Sequence, residues 1–374
     1  MRLILFESLR DACVSVTARL SESSQRSTKT SADFSKESVM KYSLLLAFIL
    51  GLWVSPCECA ADDVKASPDR ILVRPDLFKP LTEPPCSYCS TQHRKGLIEN
   101  SDRVIAWVRG AHNGGAVPLR HFLAGPRVVN DTYGLFFYDP DGGYVAAYQK
   151  DYGYSFYGWR NGVMVVKGPD GSLWSALSGL CFDGPKKGEQ LGRVPSMVTN
   201  WDYWLMLHPE STAYDLFDGE RYAVTELPKN FSDEAKQTLR DVDARVAPMA
   251  TVMGVEVGAT RKAFVPVDSV ERQCFNDTVG DQPVAVFWYA PTQTSAAFSR
   301  MLDGKLLTFY ADRISPETAP IKDRETGTRW TMAGRAIDGP LRGKELQWVN
   351  SIQCRWYAWA AENPETLVYE SHSK

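Results

Sequence analysis

Cys86-Ser-Tyr-Cys89, with His93 four residues on, is a sulfur–imidazole cluster. Two thiolates and one imidazole can fill three places of a tetrahedral metal site, and the two cysteines alone can form a redox disulfide. The spacing is not the Cys-x-x-Cys-His of haem attachment, and no second half-site at zinc-finger spacing accompanies it. A structural disulfide with His93 exposed beside Arg94 and Lys95 fits the same residues and is the simpler reading.

Other residues could do chemistry, each with a plainer alternative. His112, in Ala-His-Asn-Gly-Gly, could line a pocket, but no cysteine or paired carboxylate stands beside it, as in a turn histidine. Asp139-Pro-Asp141-Gly142 carries two carboxylates, yet Lys150 stands where a calcium loop needs its closing Glu, so a hairpin turn is expected. Asn130-Asp131 and Asn276-Asp277 could contact a ligand, or form Asx turns that start the next strand. The rings of Tyr148, Tyr152, Tyr154, Phe156, Tyr157 and Trp159 suit either a stacking platform or cross-strand pairs in a β core.

These residues sit in a pattern dominated by strands. VIAWVRG, LFFY, YVAAYQ and GVMVVKG are short apolar runs between Gly, Asp and Pro turns. Asp141-Gly142 and Asn161-Gly162 signal hairpins, because both pairs tolerate positive φ. Short amphipathic helices are expected at 201–207 and 355–361, each stopped by a proline, and Ser232 is placed to cap a third. A content of 16 Phe, 16 Tyr and 11 Trp favours β architecture. The net charge of −3 is spread without basic blocks, so no nucleic-acid partner is expected.

The N-terminal region reads as processing information. Met40-Lys-Tyr-Ser, the apolar run LLLAFILGLWV and the small residues Ala60-Ala61 follow the order of a secretory signal peptide, and the run is too short to span a bilayer comfortably. The chain is therefore expected to be exported, periplasmic or secreted, with no transmembrane segment after signal removal. Residues 1–39 are Ser-rich and read as an over-extended start. The expected order is 1–39, a signal peptide 40–61, a leader 62–100, a unit 101–212, a helical linker 213–249 and a second unit 250–374. Cleavage would leave Cys86, Cys89, Cys181, Cys274 and Cys354, an odd number and too few for a disulfide scaffold.

The two units repeat each other. Asn130-Asp131-Thr132 recurs as Asn276-Asp277-Thr278, and Tyr138 with Pro140 as Tyr289 with Pro291. Trp174, Gly179 and Asp183-Gly-Pro185 align with Trp330, Gly334 and Asp338-Gly-Pro340, and Trp204 with Trp359. The expected fold is mainly β α+β: two homologous β-rich units from a tandem duplication, each closed by a short helix.

The succession Phe275-Asn276-Asp277, Tyr289-x-Pro291, Asp323-Arg-Glu-Thr-Gly327, Trp330 and Gly339-Pro340 resembles the bacterial family called domain of unknown function 3179, over 253–369 and more weakly over 104–214. The resemblance implies thiol redox or metal chemistry at a Tyr-Cys-Pro-Leu-Cys segment, with a histidine four positions before the Asn. This chain departs from that pattern. Asp139 and Gly142 stand at the sulfur positions of one unit, Ala290 and Gln293 at those of the other, and Pro126 and Arg272 replace the histidines. None of these can serve as a thiolate. The expectation is thus a non-catalytic domain without cofactor that binds a small ligand or protein between the units. The alternative is a thiol-redox or metal-dependent extracytoplasmic enzyme using Cys86, Cys89 and His93.

Overall fold

The computed structural model describes residues 71–88, 91, 98–109, 113–119, 125–149, 151–214, 216 and 227–370. The protein is mainly β, as the alternating apolar runs predict. The proposed signal segment, Cys89, His93 and His112 lie outside the described residues. No described helix is long and apolar enough to cross a membrane.

In the first half, β1 (Arg103–Arg109) and β2 (Asn113–Pro118) form an antiparallel pair. A three-stranded meander follows: β3 (Arg127–Asp131), β4 (Gly134–Asp139) and β5 (Tyr144–Tyr148). Next come β6 (Ser155–Arg160), β7 (Val163–Lys167) and β8 (Leu173–Ser175). Arg160 pairs directly with Val163 across Asn161 (φ 54°) and Gly162 (φ 74°), the doubly left-handed turn that Asn-Gly favours. The Asp141-Gly142 hairpin is a longer loop, with Gly143 rather than Gly142 in the left-handed region.

β9 (Ser196–Asn200) then returns to pair antiparallel with β1, and α1 (Trp201–Leu207) leads to β10 (Thr212–Tyr214), which lies parallel to β2. The connecting segment carries α2 (Asp233–Thr238), capped by Ser232, whose hydroxyl accepts from the Ala235 N–H at 3.1 Å.

The second half opens with the antiparallel pair β11 (Thr251–Val257) and β12 (Thr260–Phe264). Its meander is β13 (Arg272–Val279), β14 (Gln282–Tyr289) and β15 (Thr294–Ser299), followed by β16 (Phe309–Ala311), β17 (Ile321–Asp323) and β18 (Arg329–Trp330). β19 (Ser351–Arg355) pairs antiparallel with β11; α3 (Trp356–Glu362) leads to β20 (Leu367–Val368), parallel to β12.

The first meander is buried on both faces, which is why β4 and β5 read as continuous apolar runs, whereas the edge strand β13 of the second is only half-buried. Leu135, Phe137, Tyr144, Ala146 and Tyr148 turn one face of the first meander towards Val252, Ala263, Ile352, Trp356 and Trp359 of the second half. Ala285, Phe287, Tyr289, Ala296 and Phe298 turn one face of the second meander towards Val104, Ala106, Ala116, Trp201 and Trp204 of the first. The opposite faces pack within their own halves, against β1, β2 and β9 in one case and β11 and β12 in the other. Each half therefore supplies only part of the two largest cores.

Trp174 and Trp330 are both buried, one in each shared core. Trp204 and Trp359 also match locally: each indole N–H donates at 2.8 Å to a hydroxyl seven residues on, Ser211 and Thr366.

This sharing has a direct consequence for the isolated halves. Residues 101–249 or 250–374 expressed alone should show no cooperative thermal transition, whereas mixing the two should restore one. A sharp, two-state melt of either half by circular dichroism would contradict the shared-core arrangement.

Candidate functional site

The residues singled out from sequence are placed as follows. Cys86 is exposed on a short strand, Cys86–Tyr88, that pairs with β10. No group of three or more His, Cys, Asp or Glu side chains among the described residues could hold a metal ion. Asn130 is buried and clamps the backbone of Tyr154, donating to its carbonyl and accepting from its N–H, both at 3.0 Å. Asn276 clamps Phe309 in the same way, at 2.7 and 2.8 Å.

The Asx-turn expectation is corrected for the asparagines. An amide carries both a donor and an acceptor, so it can satisfy both backbone groups of one residue, which a carboxylate cannot. The Asx turn belongs instead to Asp131, which accepts from the Tyr133 N–H at 3.3 Å and also from the Tyr214 hydroxyl. Asp277 accepts from the Thr278 N–H at 2.8 Å and forms an ion pair with Lys262 at 2.5 Å.

The turns at 139–142 and 290–293 are occupied by structural hydrogen bonds. Asp139 is fully buried and accepts from the N–H groups of Asp141, Gly142 and Met164 at 3.1–3.2 Å. Burial and the neighbouring Asp141 push its carboxyl well above the usual range. Asp141 in turn holds the N–H and hydroxyl of Ser232, at 2.9 and 2.6 Å. In the other turn, Arg103 donates to the Thr292 carbonyl and, at 3.3 Å, to the Gln293 side chain. Burial pushes the Cys181, Cys274 and Cys354 thiols upward, so at neutral pH they are protonated and poor nucleophiles.

The described residues form a cleft of about 500 Å³ between the halves. Val108, Met197 and His208 line it from the first half, and Phe298, Leu346 and Trp348 from the second. α1 places His208: the helix ends there, with the His208 N–H bonded to the Trp204 carbonyl at 2.8 Å and the imidazole against the Trp204 ring at 4.3 Å. The opposite wall approaches closely because Gly334 (φ 77°) lies on the Phe298 ring, where a Cβ would sit only 2.6 Å from it. A second hollow, of about 460 Å³ around Arg272 and Tyr310, is a shallow surface depression. There the Arg272 guanidinium is already committed to the carbonyls of Asp312 and Ser315, at 2.8 and 2.7 Å.

His208 is the distinctive group of the cleft. It is only 8% exposed, and its Nε2 has no hydrogen-bond partner. Burial, reinforced by the positive charge of Arg335, pushes its pKa down to about 4, so the ring is uncharged at neutral pH. Arg335 itself pairs with Glu345 at 3.4 Å, both side chains being roughly half exposed.

With this geometry in view, the comparison with known families is informative: residues 159–366 match the family described as "Protein of unknown function (DUF3179)". The chain belongs to that family. No curated protein and no solved structure matches it. The DUF3179 match is a single span that starts within β6 and covers more than half the chain, whereas the motifs read from sequence suggested two separate stretches. Of the six cleft residues just named, all but Val108 fall inside the DUF3179 span.

Sequence reasoning passed over His208, although Leu-His-Pro was in view. A signal existed: the position matching His208 in the second half is Asn363, which bonds its own helix, donating to the Trp359 carbonyl at 3.0 Å.

The imidazole gives a pH signature with a defined sign. Its pKa is about 6.5 unfolded and about 4 folded. Above pH 6.5 both states are neutral and the group has no effect. As pH falls from 6.5 towards 4, the unfolded chain takes up a proton that the native state refuses, and stability is lost. H208Q should therefore gain about 2.5 kcal/mol relative to wild type between pH 7.5 and pH 4.5. Urea unfolding of both proteins at the two pH values measures this; a pH-independent difference would mean that His208 is not held neutral.

Proposed function

We propose that this DUF3179 member is an exported, non-catalytic binding protein, built by tandem duplication, whose ligand occupies the cleft beside His208. The observation that carries the reading is a mainly apolar cleft of about 500 Å³ between the halves, with a buried, uncharged imidazole among its lining residues. Ligand sites are typically mainly apolar clefts with a few polar groups, and they form preferentially where two parts of a fold meet.

Duplication is supported by the matching strand orders β9-β1-β2-β10 and β19-β11-β12-β20, each with a parallel last pair. The two asparagine clamps agree with it, as do the backbone pairings Trp174–Cys181 and Trp330–Ala336. The pseudo-equivalent place in the other half bears on the site directly. There Ser178 and Glu362 stand where Ala333 and Leu207 line the cleft, and they bridge each other at 2.8 Å. On this reading one of two ancestral clefts is closed by polar contacts, and the other is open and apolar.

Loss of the family's thiol chemistry is supported by the Asp139, Gly142, Ala290 and Gln293 replacements and by the protonated state of Cys181, Cys274 and Cys354, the first and last buried and Cys274 half-buried. Export is supported by the segment 40–61 alone.

Two measurements test the proposal. Compounds from a fragment library that raise the melting temperature of the wild type should lose that effect in A333W, where the added ring fills the cleft. Hits that persist in a folded A333W bind elsewhere, and a library without any hit removes the reading. For export, N-terminal sequencing of the mature protein from a culture should find the chain beginning near Asp62; a cytosolic protein retaining Met40–Ala61 would be the contrary result.

A further inference from the structure

We infer that the groove along β13 and β16 takes an extended peptide segment of another protein. The segment adds a strand to the open edge of β13, seats a large apolar side chain over Ala311 and presents a carboxylate to Arg324 five residues later. This surface lies on the second half alone and shares no lining residue with the cleft.

The first half shows how such edges are covered. Residues 71–88 run along three of them: Ile71–Val73 pairs antiparallel with β6, Leu81–Thr82 parallel with β3, and Cys86–Tyr88 antiparallel with β10. Between the first two pairings, Phe78 packs edge-on against Phe156 and Trp159, at ring separations of 5.1 and 6.4 Å, with the Arg127 guanidinium over it. The Glu83 N–H donates to the Asn130 carbonyl at 2.8 Å. Its carboxylate accepts from the hydroxyls of Thr132 and Tyr152, at 2.9 and 3.2 Å.

The asparagine clamps fix the correspondence between the halves. Asn130 on Tyr154 matches Asn276 on Phe309, so β3 corresponds to β13 and β6 to β16. The counterparts of the three covered strands, β13, β16 and β20, are each the outermost strand of a sheet. Val128, Val129 and Asn130 are buried, whereas their counterparts Cys274, Phe275 and Asn276 are only half-buried. The hollow of about 460 Å³ follows β13 and β16, and Ala311 stands in it where the larger Phe156 supports Phe78 in the first half. A smaller hollow, about 260 Å³, continues the line of edges beside β20 and the exposed Leu367. An open strand edge beside a side-chain pocket is the arrangement used in strand addition: the backbone supplies affinity and the pocket selects the residue.

The charge of the occupant follows from the lining, which holds two arginines and no carboxylate. Arg272 pairs with Glu271, outside the hollow, at 2.9 Å. Arg324 lies over the Tyr310 ring at 5.2 Å and has no carboxylate partner among the described residues. The place of Glu83 falls in the second half at Thr278 and Leu307. Leu307 adjoins Thr308, whose carbonyl accepts from the Arg324 N–H at 2.9 Å, so a carboxylate there meets the unpaired guanidinium. Residues 71–88 of a second copy carry the same pattern, but they would have to leave the three pairings they already make. A segment of a separate protein has no such cost.

The test uses the full mature protein and a fluorescein-labelled octapeptide of residues 76–83, whose own place in the first half is held by the tethered chain. Anisotropy titration at pH 7 should show saturable binding. A Phe78→Ala peptide should bind about tenfold more weakly through loss of the buried ring, and a peptide N-methylated at Glu83 about tenfold more weakly through loss of one backbone hydrogen bond. A Glu83→Lys peptide should bind about threefold more weakly, a difference that shrinks in high salt. A311W, which fills the hollow, should weaken the parent peptide, and R324E, at an exposed position, should make the protein prefer the Glu83→Lys peptide. Absence of binding, binding unchanged in both variants, or tighter binding of the Glu83→Lys peptide to the wild type overturns the inference. Dimerisation of the mature protein that the octapeptide reverses, read by sedimentation, would overturn the assignment to another protein in favour of a second copy.

Discussion

The structure depends on one constraint: each three-stranded meander has two apolar faces, and its own half can cover only one. β4 shows the arithmetic of the period-two strand. Phe136 and Tyr138 point into a core made by β1, β2 and β9, while Leu135 and Phe137 point the other way. Left exposed, the second face would put several large side chains in water, each worth roughly 1.5–3 kcal/mol on burial. The second half supplies the cover through α3 and β11, and the first half returns it through α1 and β1. The cleft is a by-product of that exchange, since it forms where α1 of one half meets β15 and the loops after β18 of the other.

Polar contacts lock the exchange at its seams. Arg103 reaches from β1 to the turn after β14, and the Arg355 N–H bonds to the Gly142 carbonyl in the turn after β4 at 2.7 Å. The turns after β4 and β14 are thus contact points between the halves. In the first turn the buried Asp139 carboxyl holds three backbone N–H groups, which offset only part of its desolvation, and Asp141 extends the lock to the cap of α2.

Local features were legible in the sequence because local chemistry determines them. The Asn161-Gly162 turn, the Ser232 cap, the burial of Trp174 and Trp330, and the helices before Pro209 and Pro364 all follow from residue type and spacing. The asparagine clamps were not legible as such. Asn130 engages Tyr154 and Asn276 engages Phe309, at separations of 24 and 33 residues that no turn rule covers. The sharing of cores was hidden for a related reason. A strand buried on both faces announces two partners, yet its sequence says nothing about which half provides each.

His208 illustrates how a site can be visible in a sequence and still be missed. Histidine after a helix reads as an ordinary terminating residue, as Asn363 is at the matching place. The difference lies in what each side chain does with its polar atoms. Asn363 spends its amide on the last turn of α3, whereas His208 turns its ring onto Trp204 and leaves Nε2 unpaired in a largely apolar surrounding. An unpaired buried nitrogen costs about 1–3 kcal/mol, a sizeable share of the stability of a typical domain. Asparagine at position 208 could close the helix as Asn363 does and avoid that cost. The imidazole at position 208 thus costs stability that an asparagine would not, and the packing of its ring on Trp204 offsets part of that cost.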